Sequence, residues 1–395
     1  MQAIELFAGA GGLGIGVSQA GFVPGLVVEW DRWCCDTIRE NQARGSSAVS
    51  HWPTPIEGDV RSVDFQRFEG KIDLVSGGPP CQPFSLGGKH GAYNDARDMW
   101  PEAVRAVRET KPKAFIFENV KGLTRASFAT YFAYIVHQLT YPEITRRPTE
   151  SWEDHLSRLE RHHTGRRRNS DGLVYRVVPR LLNAANYGIP QRRERVVFVG
   201  FRSDLGIEWS FPEETHSLEA LLWSQTKGDY WERHEVARRA RGIAPRLQER
   251  ASRLLEKPTS QPWRTTRDAI GDLPDPEREP GKARLVPNHR FQPGARSYPG
   301  HTGSPLDEPA KTLKAGVHGV PGGENMLLRP DGATRYFTVR ESARLQTFPD
   351  DYVFHGAWSE AMRQLGNAVP VGLATVVAGN VRAHLSSKPL KGWVQ

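Results

Sequence analysis

The stretch "AIELFAGAGGLGIG", residues 3–16, decides the fold. "AIELF" is a short apolar run, as a buried strand requires. Gly9, Gly11, Gly12, Gly14 and Gly16 then crowd the next segment. "GIGVSQAGF" follows and reads as a helix closed by glycine. Strand, glycine turn and helix open a parallel β–α–β unit. Gly9, Gly11 and Gly14 make G-x-G-x-x-G, which lets a ligand approach the backbone closely. Glu29 ends the next strand-like run, "PGLVVEWD" (24–31), where an acid can hold ribose hydroxyls. The pattern fits a dinucleotide and S-adenosyl-L-methionine equally. Asp59, in "EGD" before Val60, is expected at the following strand end, near an adenine amino group.

The alternation continues along the chain. "KIDLVSGG" (71–78) and "KAFIFENV" (113–120) read as strands, with the helical "WPEAVRAVRETKP" before the second. "RERVVFVGFR" (193–202) reads as one more. Strands alternating with helices predict an α/β fold, a parallel sheet covered on both faces. In such sheets ligands bind beyond the carboxyl ends of the strands. From about 205 to 335 Pro and Gly become dense and the alternation stops, so a second, loop-rich domain is expected over 205–335. "TVRESARLQTF" and "EAMRQLGNAVPVGLATVVAGNVRAHL" return to helix, so residues 336–395 are expected to rejoin 1–204. Residues 145–172 read as a charged helix and a basic loop, suited to DNA contact or a partner surface.

Composition narrows the class. The chain is 38% hydrophobic and 25% charged, as soluble globular proteins are, and no apolar run approaches the length of a membrane span. No signal peptide is evident at the N-terminus. Three cysteines, two of them adjacent, argue against a disulfide framework and for a reducing, cytoplasmic compartment. No C-x-x-C or H-E-x-x-H spacing points to a metal. The net charge of +8 is carried largely by arginine, so nucleic acid is the leading partner class.

Three further stretches carry chemistry. "GGPPCQPFS" (77–85) holds Cys81 in a loop stiffened by prolines. A core cysteine normally lies in an apolar element. A thiol held in a loop after a strand, near cations or backbone dipoles, is a candidate nucleophile. Glu118 ends a buried strand, where desolvation raises a carboxyl pKa and suits it to proton transfer. Asn119 beside it would fix the turn. In "QRRER" (191–195) alternation sends Arg193 and Arg195 to one face, opposite Arg192 and Glu194. Cys34 and Cys35, in a helix-like segment, read as structural.

The order FAGAGG, EWD, GD, GGPPCQPFS, FENV, QRRER, RESARLQTFPDDY and QLGNAVP resembles the DNA (cytosine-5)-methyltransferases, over nearly the whole chain. The resemblance implies a Rossmann-like S-adenosyl-L-methionine-dependent methyltransferase sheet, with 205–335 as the target-recognition domain. It implies that Cys81 attacks C6 of a cytosine flipped out of duplex DNA, that Glu118 protonates N3, and that Arg195 holds O2, with Arg193 beside it. It implies a cofactor site of Phe7, Gly9, Gly11, Gly12, Glu29, Trp30, Asp59, Val60 and Asn367, walled by Pro80 and Trp100. Gln82 and Ser85 in the cysteine loop, and Arg290, Arg296, His301, Thr312, Lys314 and His318, are its candidate DNA contacts. A stand-alone, monomeric prokaryotic modification enzyme paired with a restriction endonuclease is the expected setting. A nicotinamide oxidoreductase would leave Cys81, Glu118 and QRRER unexplained. A tRNA cytosine methyltransferase would not need the large variable region, and a non-catalytic DNA-binding protein would not need Cys81 and Glu118.

Overall fold

The computed structural model describes residues 1–80, 98–165, 172–299, 302–315 and 325–387. Cys81, Gln82, Ser85, His301 and His318 lie outside the described residues. Seven strands make the central sheet: β1 Gln2–Leu6, β2 Val23–Glu29, β3 Ile56–Glu57, β4 Leu74–Gly77, β5 Ala114–Val120, β6 Tyr175–Asn183 and β7 Glu194–Arg202. Their order is β3-β2-β1-β4-β5-β7-β6. The five strands from β3 to β5 pair in parallel. β7 pairs antiparallel with both β5 and β6.

Two expectations are corrected. "RERVVFVGFR" is a strand but runs antiparallel to the rest. β6, "YRVVPRLLN", is a strand that the pattern did not announce. It carries Pro179 and lies at the sheet edge, where a missing ladder donor is tolerated.

Alternation along β5 divides the core. Phe115 and Phe117 face one side, with Trp100, Val104 and Val107 of α3 (Trp100–Thr110) and Tyr131, Ile135 and Leu139 of α4 (Ala129–Thr140). Ala114 and Ile116 face the other, with Leu13 and Val17 of α1 (Gly12–Gln19). The helix Val371–Ser386 closes this second layer through Leu373, Val377 and Val381. The tail thus packs against the first helix of the chain. Gly16 permits the contact, since a Cβ there would sit 2.4 Å from the Ala374 side chain. The expected long tail helix is two, Trp358–Asn367 and Val371–Ser386, with Pro370 as the N-cap of the second.

α2 (Arg32–Ala43) buries Cys34 and Cys35. Burial pushes both thiols up, Cys35 to about 12, so neither is a nucleophile at neutral pH. A helix α5 (Trp152–Thr164) lies along α4, with Trp152 against Tyr131 and His163 accepting from or donating to Tyr141. It therefore runs parallel to α4, away from the carboxyl end of β5. Its basic end lies at the far end of the sheet from Glu118.

Between β7 and the tail, the described residues form short helices, such as Leu218–Thr226 and Pro245–Ser252, and strands of two or three residues. Their cores are small, one around Leu221, Tyr230 and Trp231 and one around Ile270, Leu313 and Leu327. The strand Thr334–Tyr336 spans the border expected at 335/336. No described helix is long and apolar enough to cross a membrane.

Candidate active site

The glycine turn at the end of β1 is built from left-handed backbone. Phe7, Gly9 and Gly11 have φ of 54°, 55° and 89°. Such values suit glycine; at Phe7 they cost energy, of order 1 kcal/mol or more. A Cβ on Gly9 would meet nothing within 4 Å, so the turn borders open space. Gly12 is closed in instead: a Cβ there would lie 2.4 Å from the Val369 carbonyl. Tyr352 donates to the Ala10 carbonyl at 2.8 Å. The tail segments around Tyr352 and Asn367–Pro370 thus buttress the turn, and Asn367 itself is exposed at that edge.

Glu29 ends β2 and turns back to the glycines. Its carboxylate accepts from the backbone N–H groups of Gly9 (2.7 Å), Trp30 (2.9 Å) and Asp31 (2.8 Å). That fills three of about four lone-pair sites and leaves one for a ligand hydroxyl. Burial raises its pKa, and the three N–H donors oppose the rise. Trp30 is 75% exposed, a free indole face beside the turn. Asp59 caps the short turn that begins at Val60, and its carboxylate pairs with Arg61 at 3.3 Å. Val60 is buried beneath it. Open turn, exposed indole and two carboxylates fit a ligand with a sugar, an aromatic base and an amino group.

Under the same turn lies Glu5, buried in β1, which accepts from Ser76 and draws on the Gly14 N–H. Burial pushes its carboxyl up to about 8 from 4.5. Between those values the folded protein holds a proton that the unfolded chain has released, so stability falls as pH rises through that window. Glu5→Gln should flatten this loss, which amounts to roughly 1 kcal/mol per pH unit. Urea unfolding at stepped pH checks it; an unchanged slope in the variant would contradict it.

The reactive end lies where β4 and β5 run out together. Glu118 pairs in register with Val197, and Val120 with Arg195. Arg195 is therefore diagonal to Glu118 on one face of the ladder. Its Nε lies 2.7 Å from a Glu118 carboxylate oxygen, and both side chains are about nine-tenths buried. Burial raises the Glu118 pKa; the nearby Arg195 and Arg193 charges act against it. Asn119 donates to the Pro79 carbonyl at 2.9 Å and accepts from the Val120 N–H. It ties the end of β5 to the segment leading to Cys81. A Cβ on Gly78 would lie 3.4 Å from a Glu118 oxygen, so glycine keeps the carboxyl beside that segment. Pro80 is exposed at the same place.

Three assigned roles change. Trp100 does not wall the ligand site. It is fully buried, edge-on to Phe117 and Phe198 at 6.0 and 5.1 Å, because Trp100, Ala103, Val104 and Val107 share the sheet-facing side of α3. Met99, one residue earlier, donates its N–H to the Pro80 carbonyl at 3.0 Å, and Arg61 reaches its sulfur. Met99 is the residue of that pair on the Asp59 side.

Arg193 does share the buried face with Arg195, but its guanidinium donates to the Leu313 (2.9 Å) and Gly366 (2.7 Å) carbonyls. It fastens the loop-rich region and the tail to the site and does not face a substrate. The Thr312 hydroxyl donates to the Arg192 carbonyl at 2.7 Å, so it holds the loop rather than reading a base. Lys314 is fixed through its backbone by both ends of the Asn325 amide. Arg290 and Arg296 are exposed; Arg290 lines a cavity of about 640 Å³ with Arg284, His289 and Phe291. That cavity is made by residues 276–291 alone and takes no part in the Glu118 site.

The family model for C-5 cytosine-specific DNA methylase matches residues 1–141 and 168–383. It passes over the segment that contains α5. The Type II methyltransferase M.Eco47II of Escherichia coli is 31% identical over 389 residues, 98% of this chain and 79% of the relative. The Type II methyltransferase M.PspPI of Psychrobacter sp. is 30% identical over 394 residues, 98% and 80%. In fold, the chain is similar to the S. pombe Dnmt2 methyltransferase, with TM-score 0.53 at 16% identity, covering 99% of this chain and 100% of that one.

Proposed function

The chain belongs to the C-5 cytosine-specific DNA methylase family and is a DNA (cytosine-5)-methyltransferase, and from that premise we propose how its own residues carry the reaction. The observation that carries the reading is the buried Glu118–Arg195 pair, set beside the strand that leads to Cys81. A cytosine extruded from duplex DNA offers N3 and O2 to these two groups. Arg195 donates to O2 and orients the ring. Glu118, whose pKa burial raises, donates a proton to N3.

Cys81, as thiolate, forms a bond to C6. The ring electrons move toward C5, and N3 takes the proton from Glu118, so C5 becomes a nucleophile. S-adenosyl-L-methionine, when bound, supplies the methyl group that C5 takes. Loss of the C5 proton to a base re-forms the C5–C6 double bond as the Cys81–C6 bond breaks and the thiolate leaves, and N3 returns its proton to Glu118, so aromaticity is restored. Phe7, Gly9, Gly11, Gly12, Glu29, Trp30, Asp59, Val60, Pro80 and Asn367 would hold that cofactor, with Trp30 under its base and Glu29 on its ribose.

Residues 1–204 and 336–395 form the catalytic part in this reading, and 205–335 choose the DNA site. Arg290, Arg296 and Lys314, all exposed, are the cations there proposed to contact DNA. The relatives are Type II methyltransferases, so a restriction endonuclease that cuts the same unmodified site is the proposed partner, with this chain acting as a monomer in the bacterial cytoplasm.

Bisulfite sequencing of DNA from cells expressing the protein tests this. Protected cytosines confined to one short sequence context are expected. Complete conversion everywhere would refute the activity.

A further inference from the structure

The chain that leaves β5 is shaped in a way the reaction does not use. Residues 121–128 form two short 3₁₀ turns, Lys121–Thr124 and Ala126–Phe128. Leu123 is fully buried and pins them to the core. Lys121, Thr124, Arg125 and Ser127 are exposed around that pin. The Thr124 hydroxyl donates to the Lys121 carbonyl, which stiffens the first turn. The first turn of α4, which follows, carries no acid. This ridge starts three residues after Glu118, at the mouth of the site.

Glu194 is the one carboxylate paired with it among the described residues. Lys121 Nζ lies 2.7 Å from Glu194, with the two side chains 57% and 42% exposed. The pair extends the β5–β7 register by one step beyond Val120 and Arg195. Glu194 is thus next to the residue that orients the base, yet its side chain points to solvent. An exposed pair of this kind is held weakly, so a phosphate can displace the carboxylate. Arg125 has no carboxylate partner among the described residues.

We propose that Lys121 and Arg125 grip backbone phosphates of the DNA strand beside the extruded cytosine, and that Glu194 holds Lys121 until DNA displaces it. The inference rests on the reading of the site as a DNA enzyme. It makes three surface residues act in opposite directions on one measurement.

The test is a salt titration of binding to a short duplex that holds the sequence context methylated in cells, so that the target cytosine is extruded and its flanking phosphates are engaged. Lys121→Ala and Arg125→Ala should each weaken binding about fivefold and lower the salt slope by about 1. Glu194→Gln should tighten binding about threefold at low salt. Lys113→Ala, at the opposite end of β5, should match the unaltered protein.

Lys113, Lys121 and Arg125 are exposed and the Glu194 side chain is half-exposed, so thermal melting should be unchanged and folding is not in question. If the unaltered protein binds duplex and forms its covalent adduct, but the Lys121 and Arg125 variants keep its slope, the ridge is overturned alone. If the unaltered protein shows no salt-dependent binding, the DNA reading falls and the ridge with it.

Discussion

Glu118→Gln is expected to lower turnover on cytosine-containing DNA by about 10²- to 10⁴-fold, the usual worth of a general acid. The substitution keeps size and shape, so Arg195 loses an ion pair but not a neighbour. What it removes is the transferable proton. Burial raises the Glu118 pKa, and Arg195 and Arg193 oppose the rise. The unaltered enzyme should therefore lose activity as pH rises through the folded pKa of this carboxyl, because the protonated form is the donor. The Gln variant should lack that limb of the profile. A variant with near-normal turnover, or with the same alkaline limb, would show that N3 is protonated by another group. Binding to DNA should persist, since the phosphate contacts lie elsewhere.

Cys81→Ser is expected to cost still more, about 10⁴-fold or greater, as loss of a covalent nucleophile does. A serine hydroxyl is far less ionised than a thiol at neutral pH, so attack at C6 has no comparable substitute. C5 then stays unreactive however well the cofactor and base are placed. The supports of this loop remain in the variant. Asn119 still ties Pro79 to β5, and Gly78 still leaves room for Glu118. DNA binding by the serine variant should equal that of the parent, which separates lost chemistry from lost recognition. Residual methylation within tenfold of the parent would contradict a nucleophilic role.

Much of the site is legible in the sequence because parallel strands are short apolar runs with functional residues at their ends. "AIELF" with its glycines, and "KAFIFENV" with Glu118, lie where such runs must place them. The parity of Arg193 and Arg195 was legible too, since alternation alone sets it. Their different tasks were not. Arg193 meets Leu313 and Gly366 across 120 and 173 residues of chain, which no local pattern announces.

The same holds for Thr312, whose partner is the Arg192 carbonyl. Trp100 could have been placed correctly. The apolar spacing 100, 103, 104, 107 assigns it to the core side of α3, whereas the pocket wall was only what the family resemblance implied. β6 was hidden for a physical reason. An edge strand with Pro179 and half-exposed valines lacks the continuous apolar run of a central one.

The central claim is that Cys81 bonds to C6 of the target base. It is tested most directly with duplex DNA in which 5-fluorocytosine replaces cytosine, incubated with the protein and S-adenosyl-L-methionine. The C5 proton must leave for the cysteine to be released, and fluorine cannot leave in that way. A protein–DNA adduct that survives denaturing electrophoresis, and is absent with Cys81→Ser, is the expected result. No adduct from the unaltered protein, under conditions where it methylates ordinary DNA, would contradict it.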